Sequence, residues 1–217
     1  DDFHFGVPSS GPVGVEEPDG TPGAEGFYLV GNPVQNALIS DLFAPIWTQG
    51  FPGADSPDYG VPNIYLMDEP SNGYVAVSGA DYMPPSGTGT LAYIFDDDNF
   101  DGTPNGFPKT MELFGPSNTG DIVVPLSYES EGWNLLGNPY ANTINLHEVT
   151  LADYANISGF AWRYSIANDD WYPYDLFNHT DPYFSSVLGR FTGFMVEAIG
   201  ANASFTFRNS WRNDTLT

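Results

Sequence analysis

The chain has 217 residues, 41% of them hydrophobic and 16% aromatic, which is enough apolar area for packed cores and excludes a disordered chain. Twenty-eight Asp and Glu face five Lys and Arg, a net charge of −23, so nucleic acid and anionic membrane surfaces are repelled and cations attracted. With no cysteine there is neither a disulfide framework nor a thiolate metal site, and no stretch reaches the roughly 18 apolar residues that insert across a membrane.

Residues 1 to 25 are rich in Gly, Pro, Ser and acids, with apolar touches at Phe3, Phe5, Val13 and Val15; they read as an extended lead-in with an edge strand. No basic-then-apolar leader opens the sequence at Asp1-Asp2-Phe3, so the signal of an exported form is expected to have been removed already or to lie outside this sequence. Short runs rich in aromatic and β-branched residues follow, punctuated by Gly, Pro, Asn and Asp, which is the pattern of all-β structure. Strands are expected over 27–30, 63–67, 74–77 and 91–95, then over 121–126, 133–136, 160–164, 193–198 and 204–207. Only 38–43 and 146–154 carry enough helical character for a turn or two. Segments 52–62 and 171–186 read as the longest loops. Pro33, Pro125 and Pro139 mark strand ends, because proline cannot donate to a central ladder.

The segment Gly26-Phe27-Tyr28-Leu29-Val30-Gly31-Asn32-Pro33 returns as Gly132-Trp133-Asn134-Leu135-Leu136-Gly137-Asn138-Pro139, displaced by 106 positions. Two copies of one module are therefore expected, residues 1–105 and 106–217, each a comfortable size for its own core. The charge divides with them: residues 1 to 107 hold sixteen acids and no base, and all five bases, Lys109, Arg163, Arg190, Arg208 and Arg212, follow. Within the motif, Trp133 and Leu135 with their counterparts Phe27 and Leu29 are expected inward. Gly31-Asn32-Pro33 and Gly137-Asn138-Pro139 are expected to end the strands, the glycines through a positive φ and the asparagines held extended by the following proline.

The phrase from Gly132 to Tyr140, preceded by Thr119 to Leu126 and followed by Gly193-Phe194-Met195-Val196, resembles a repeat of large secreted surface proteins of Bacteroidetes, many of them exported by the type IX secretion system. The resemblance covers about residues 108 to 210, and more loosely 26 to 98. It implies tandem antiparallel β-sandwich modules of jelly-roll or Ig-like type, extracellular or cell-surface placement, and no catalytic residues. The family's C-terminal sorting domain has no counterpart before Thr217, so a fragment or processed piece is expected.

Two local patterns point to ligands. Asp97, Asn99, Asp101 and Gly102 match the opening of an Asp-x-Asn-x-Asp-Gly calcium loop, although its twelfth position is Pro108 and not a bidentate Glu. Calcium, the one cofactor suggested, competes there with a plain solvated acidic loop. Trp171, Tyr172 and Tyr174, near Asp169 and Asp170, suggest a sugar-stacking platform, against which Trp162 and Tyr164 in a core is the competing use of the neighbouring aromatics. Enzyme signatures are lacking: His4, His147 and His179 lie in unrelated contexts, with no zinc-binding His spacing, nucleophile elbow or phosphate loop.

The expectation is therefore an all-β chain of two tandem antiparallel β-sandwich modules, non-catalytic and extracellular. It would serve as a segment or subunit of a surface filament, sheath or adhesin, with itself or other surface-protein modules as partner. The alternative is a calcium-stabilised carbohydrate-binding module with glycans as partner.

Overall fold

The computed structural model describes residues 25–98, 101–103, 107, 109–166, 169–179 and 186–213. All of the lead-in 1–25 except Glu25 therefore lies outside the described residues, as do Asn99 and Pro108 of the acidic loop. The fold is all-β with antiparallel sheets; among the described residues there is one short α-helix, α1 (Ile39–Leu42), besides single 3₁₀ turns at Glu69–Ser71, Leu146–Glu148 and Asn209–Trp211. No helix among the described residues is long and apolar enough to cross a membrane.

In the first half, β1 (Gly26–Gly31), β2 (Ile64–Asp68), β3 (Gly73–Ala76) and β4 (Gly89–Ile94) form one sheet in the order β1-β4-β2-β3. Alternate residues point to opposite faces, and Tyr28, Val30, Ile64, Ala92 and Ile94 share the face that is packed. Against it lie Ile39 and Leu42 of α1, then Phe43, Ile46 and Phe51, with Met111 and Leu113 arriving from further along the chain. Four residues are too few for a self-standing helix. Burial of Ile39 and Leu42 and the Asp41 carboxylate accepting the Leu38 N–H at 3.2 Å hold α1 in place.

The second half contributes β5 (Ile122–Pro125), β6 (Trp133–Gly137), β7 (Thr143–Asn145), β8 (Tyr154–Ala155) and β9 (Ile157–Ser165). After these come β10 (Asp170–Asp175), β11 (Val187–Leu188), β12 (Gly193–Ala198), β13 (Ser204–Phe207) and β14 (Arg212–Asn213). The large sheet runs β6-β12-β9-β10, and two smaller ones, β5-β13-β8 and β11-β7-β14, supply residues to the core on one face of it. Phe194, Phe205 and Phe207 meet there edge to face, with ring centroids 5.0 to 6.1 Å apart. That geometry suits the ring quadrupoles. The segment from Trp171 is a strand at its start, a correction to the loop expected there, and Pro173 is tolerated because β10 is an edge strand.

The two large sheets have one topology. In each, the first strand pairs with the last, the last with the second, and the second with the third. The register repeats as well: Gly31 faces Gly89 across β1 and β4, and Gly137 faces Gly193 across β6 and β12.

The faces are the reverse of those expected from the sequence. Tyr28, Val30, Leu136 and Ala161 point into the cores, whereas Phe27, Leu29, Trp133, Phe160, Trp162 and Tyr164 lie on the opposite face of their sheets. β1, β6 and β9 each carry apolar residues on both faces, so alternation alone does not say which is the core.

Candidate functional site

The sheets meet along their non-core faces, joined where the two Gly-Asn-Pro motifs touch. The Gly31 N–H donates to the Phe191 carbonyl at 2.8 Å, and the Gly137 N–H donates to the Gly87 carbonyl at 3.0 Å. Bridges between Val30 and Thr192 and between Leu136 and Thr88 complete a reciprocal exchange. Gly87 and Phe191 occupy the same place in the two copies and both are left-handed, at φ 88° and 64°. Neither Gly31 nor Gly137 has a positive φ, which corrects the expected reason for those glycines. Close approach is the reason: a Cβ on Gly31 would lie 2.7 Å from the Asn138 nitrogen.

The asparagines have a local task. Proline has no N–H, so the first free donor after each motif belongs to the residue two beyond the asparagine. Asn32 Oδ1 accepts the Val34 N–H at 3.2 Å, and Asn138 Oδ1 accepts the Tyr140 N–H at 3.0 Å. The Asn138 amide also donates to the carbonyls of Asn142 at 2.9 Å and Gly189 at 3.0 Å.

Away from this junction the aromatic faces part and leave two cavities. One, of about 440 Å³, lies between Met67 and Tyr74 on one side and Trp133, Trp162 and Met195 on the other. Its neighbour, of about 300 Å³, lies between Phe27, Tyr65 and Leu91 and the pair Tyr164 and Trp171. Tyr74 and Trp171 line both. The rings brace one another: Trp133 and Trp162 meet edge to face at 6.0 Å, and Tyr164 and Trp171 lie 5.3 Å apart. The Tyr74 hydroxyl reaches the Met195 sulfur at 3.8 Å. Burial pushes the Tyr65 and Tyr74 hydroxyls above the usual tyrosine range, so both remain neutral. No Lys or Arg lines either cavity. The Trp162 indole N–H is buried in this wall without a hydrogen-bond partner.

Glu69 ties the walls together. It lies in the turn between β2 and β3, and its buried carboxylate accepts the N–H groups of Glu129 at 2.8 Å, Ser130 at 2.7 Å and Gly132 at 2.8 Å. Burial alone would push its pKa up; the three backbone donors, with the Ser127 hydroxyl, outweigh burial and hold it at about 2. Met67 and Tyr74 flank this turn, and Trp133 directly follows the loop it grips.

Of the aromatics singled out from sequence, Trp171 stands in the cleft, 38% exposed. Tyr174, 3% exposed, belongs to the second core and has no ring face to offer, while Tyr172 is half-buried on the face opposite Trp171. In the acidic loop, Asp97 accepts the Gly102 N–H and Asp101 the Thr103 N–H, both at 2.8 Å, and Asp98 pairs with Lys109 at 3.2 Å. Asn99 lies outside the described residues. His147 and His179, unrelated in sequence, come together with ring centroids 4.4 Å apart. Among the described residues no three His, Asp or Glu side chains form a group able to hold a metal ion.

No family model, curated protein or solved structure matches this chain. The cleft draws its lining from both halves of the chain. Its residues from the first sheet, Phe27, Tyr65, Met67 and Tyr74, were missed in the sequence. The signal was present as a second apolar stripe on strands whose other stripe forms the core.

Proposed function

We propose that the chain is a non-catalytic, extracellular binding module that holds carbohydrate in the aromatic cleft between its two large sheets. The observation that carries this reading is the convergence of flat rings, Tyr74, Trp133, Trp162 and Trp171, on one open cavity with no basic side chain in its lining. Such rings stack on the apolar faces of a sugar, as apolar and aromatic linings do for small ligands generally. The likeness of Gly132 to Tyr140 to secreted surface repeats supports extracellular placement, and with it the view of each half as a β-sandwich module.

Exposed apolar surface also serves protein–protein contacts; a filament or sheath subunit would bury this cleft against a second copy and give no response to sugars. Trp133, Trp162 and Trp171 all line one cavity, so bound sugar should shift the protein's tryptophan emission. The test is emission and calorimetric titration with soluble polysaccharides, alongside a glycan array. A shift lost in Trp162→Ala supports the reading; silence in all three measurements overturns it.

A further inference from the structure

Resting on the carbohydrate reading above, we propose that the cleft is a pair of equivalent subsites, built reciprocally by the two halves, and that one linear, uncharged glycan chain lies across both.

The equivalence follows from register. Counting back four residues from the matched glycines, Phe27 in β1 corresponds to Trp133 in β6. Tyr65 faces Leu91 as Trp162 faces Met195, so these pairs correspond. Met67 faces Tyr74 as Tyr164 faces Trp171. The larger cavity has Trp133, Trp162 and Met195 as its floor, with Met67 and Tyr74 above them. The smaller has their counterparts Phe27, Tyr65 and Leu91, with Tyr164 and Trp171 above. Each half thus provides the floor of one subsite and the cover of the other.

The two subsites are contiguous, because Tyr74 and Trp171 belong to both linings. A repeating ligand suits a repeated site: sugar rings of one chain stack in each cavity, with the Tyr74 and Trp171 pair at the linkage between them. Charge selects among glycans. Neither cavity has a Lys or Arg, Glu197 sits opposite Trp133 in the ladder, and the chain carries −23, so sulfated or uronic chains are repelled. The duplication is not quite even. Three indoles against one, and the greater volume, make the Trp133 cavity the stronger subsite.

The experiment is calorimetry on the full chain with cello-oligosaccharides and N-acetylchito-oligosaccharides of two to six units, with heparin and polygalacturonate as the anionic arm. The expected result is one oligosaccharide per protein, with affinity rising at least about tenfold from two units to the length that fills both cavities, a modest gain for linking two sites. Trp133→Ala and Phe27→Ala should each return the long chain to disaccharide-like affinity, Trp133→Ala more severely. Binding of either neutral series with no dependence on length, or with two long chains per protein, overturns the paired subsites and leaves the carbohydrate reading standing. Tighter binding of the anionic polymers overturns the charge selection. Absence of binding by every sugar removes both. The length series uses the unaltered chain, so an unstable variant does not obscure the outcome.

Discussion

Gly31 and Gly137 meet backbone to backbone at the junction of the two halves: a Cβ on Gly137 would lie 2.5 Å from the Gly31 Cα and 3.1 Å from the Thr88 carbonyl oxygen. The atoms in the way are main chain, held by hydrogen bonds to Phe191 and Gly87 on either side, so they have little room to yield.

Gly137→Ala is accordingly expected to lower stability by about 1–3 kcal/mol, the usual range for forcing extra volume into a packed site. Gly60, with open space around its Cβ position and no positive φ, is the control. Gly60→Ala should be neutral or slightly stabilising. Urea unfolding of the two variants checks this, and equal midpoints would remove close approach as the reason for the motif glycines.

Asn138 serves one N–H and three carbonyls, those of Asn142, Leu188 and Gly189, from full burial. Asn138→Asp keeps the acceptor toward Tyr140 but turns the amide donors into oxygens facing the Asn142 and Gly189 carbonyls. A loss of at least about 1–3 kcal/mol is expected, the cost of a buried polar group left unmet. Asn32 holds the matching turn through Val34, so Asn32→Asp, which preserves that acceptor, should cost less. Thermal melts of the pair decide it, and the reverse order would contradict the assignment.

Glu69 predicts a pH signature. Its folded pKa of about 2 lies below the unfolded carboxylate value of about 4.3, so its contribution is complete above the unfolded value and is lost as pH falls through about 2. Glu69→Gln removes the charge at every pH. The gap in melting temperature between wild type and variant should be widest near neutrality and narrow from about pH 4.3 downward. Asp121 and Asp153, also held below the usual range, chiefly by burial-opposed or exposed bonds to Arg208, are common to both proteins and drop out of the difference. A gap that does not vary with pH would show that the Glu69 charge is not what grips the 129–132 loop.

Core and cleft aromatics should part company when truncated. Phe205, fully buried among Phe194, Phe207 and Trp211, is expected to cost about 3–5 kcal/mol as Phe205→Ala. Trp171→Ala should cost well under half as much, because its ring already stands partly in water. Denaturant unfolding of both tests which aromatic stripe is the core, and comparable losses would place Trp171 in it.

Much of the fold was legible because strand punctuation is local chemistry. The expected strand over 193–198 and that over 204–207 match β12 and β13, and the repeat at Gly26 and Gly132 announced two sheets whose topology proved the same. Beta-bridging segments as short as β8, β11 and β14 went unseen, since two residues carry no periodicity and owe their pairing to distant neighbours.

What the amino-acid order determined by itself was the all-β class, the internal repeat, the turns at Asn32-Pro33 and Asn138-Pro139, and a net charge of −23. Those depend on neighbours in the chain, on backbone sterics and on total charge. Only the tertiary structure decided which apolar stripe became core and which became cleft, because Phe27 and Tyr28, or Ala161 and Trp162, are each hydrophobic enough to be buried. It also decided that Gly31 and Gly137 touch, that Glu69 reaches across to the 129–132 loop, and that Tyr74 and Trp171 share two cavities. Each of these joins residues some sixty to a hundred positions apart, where no local propensity acts and only the packing of one sheet on the other selects the contact.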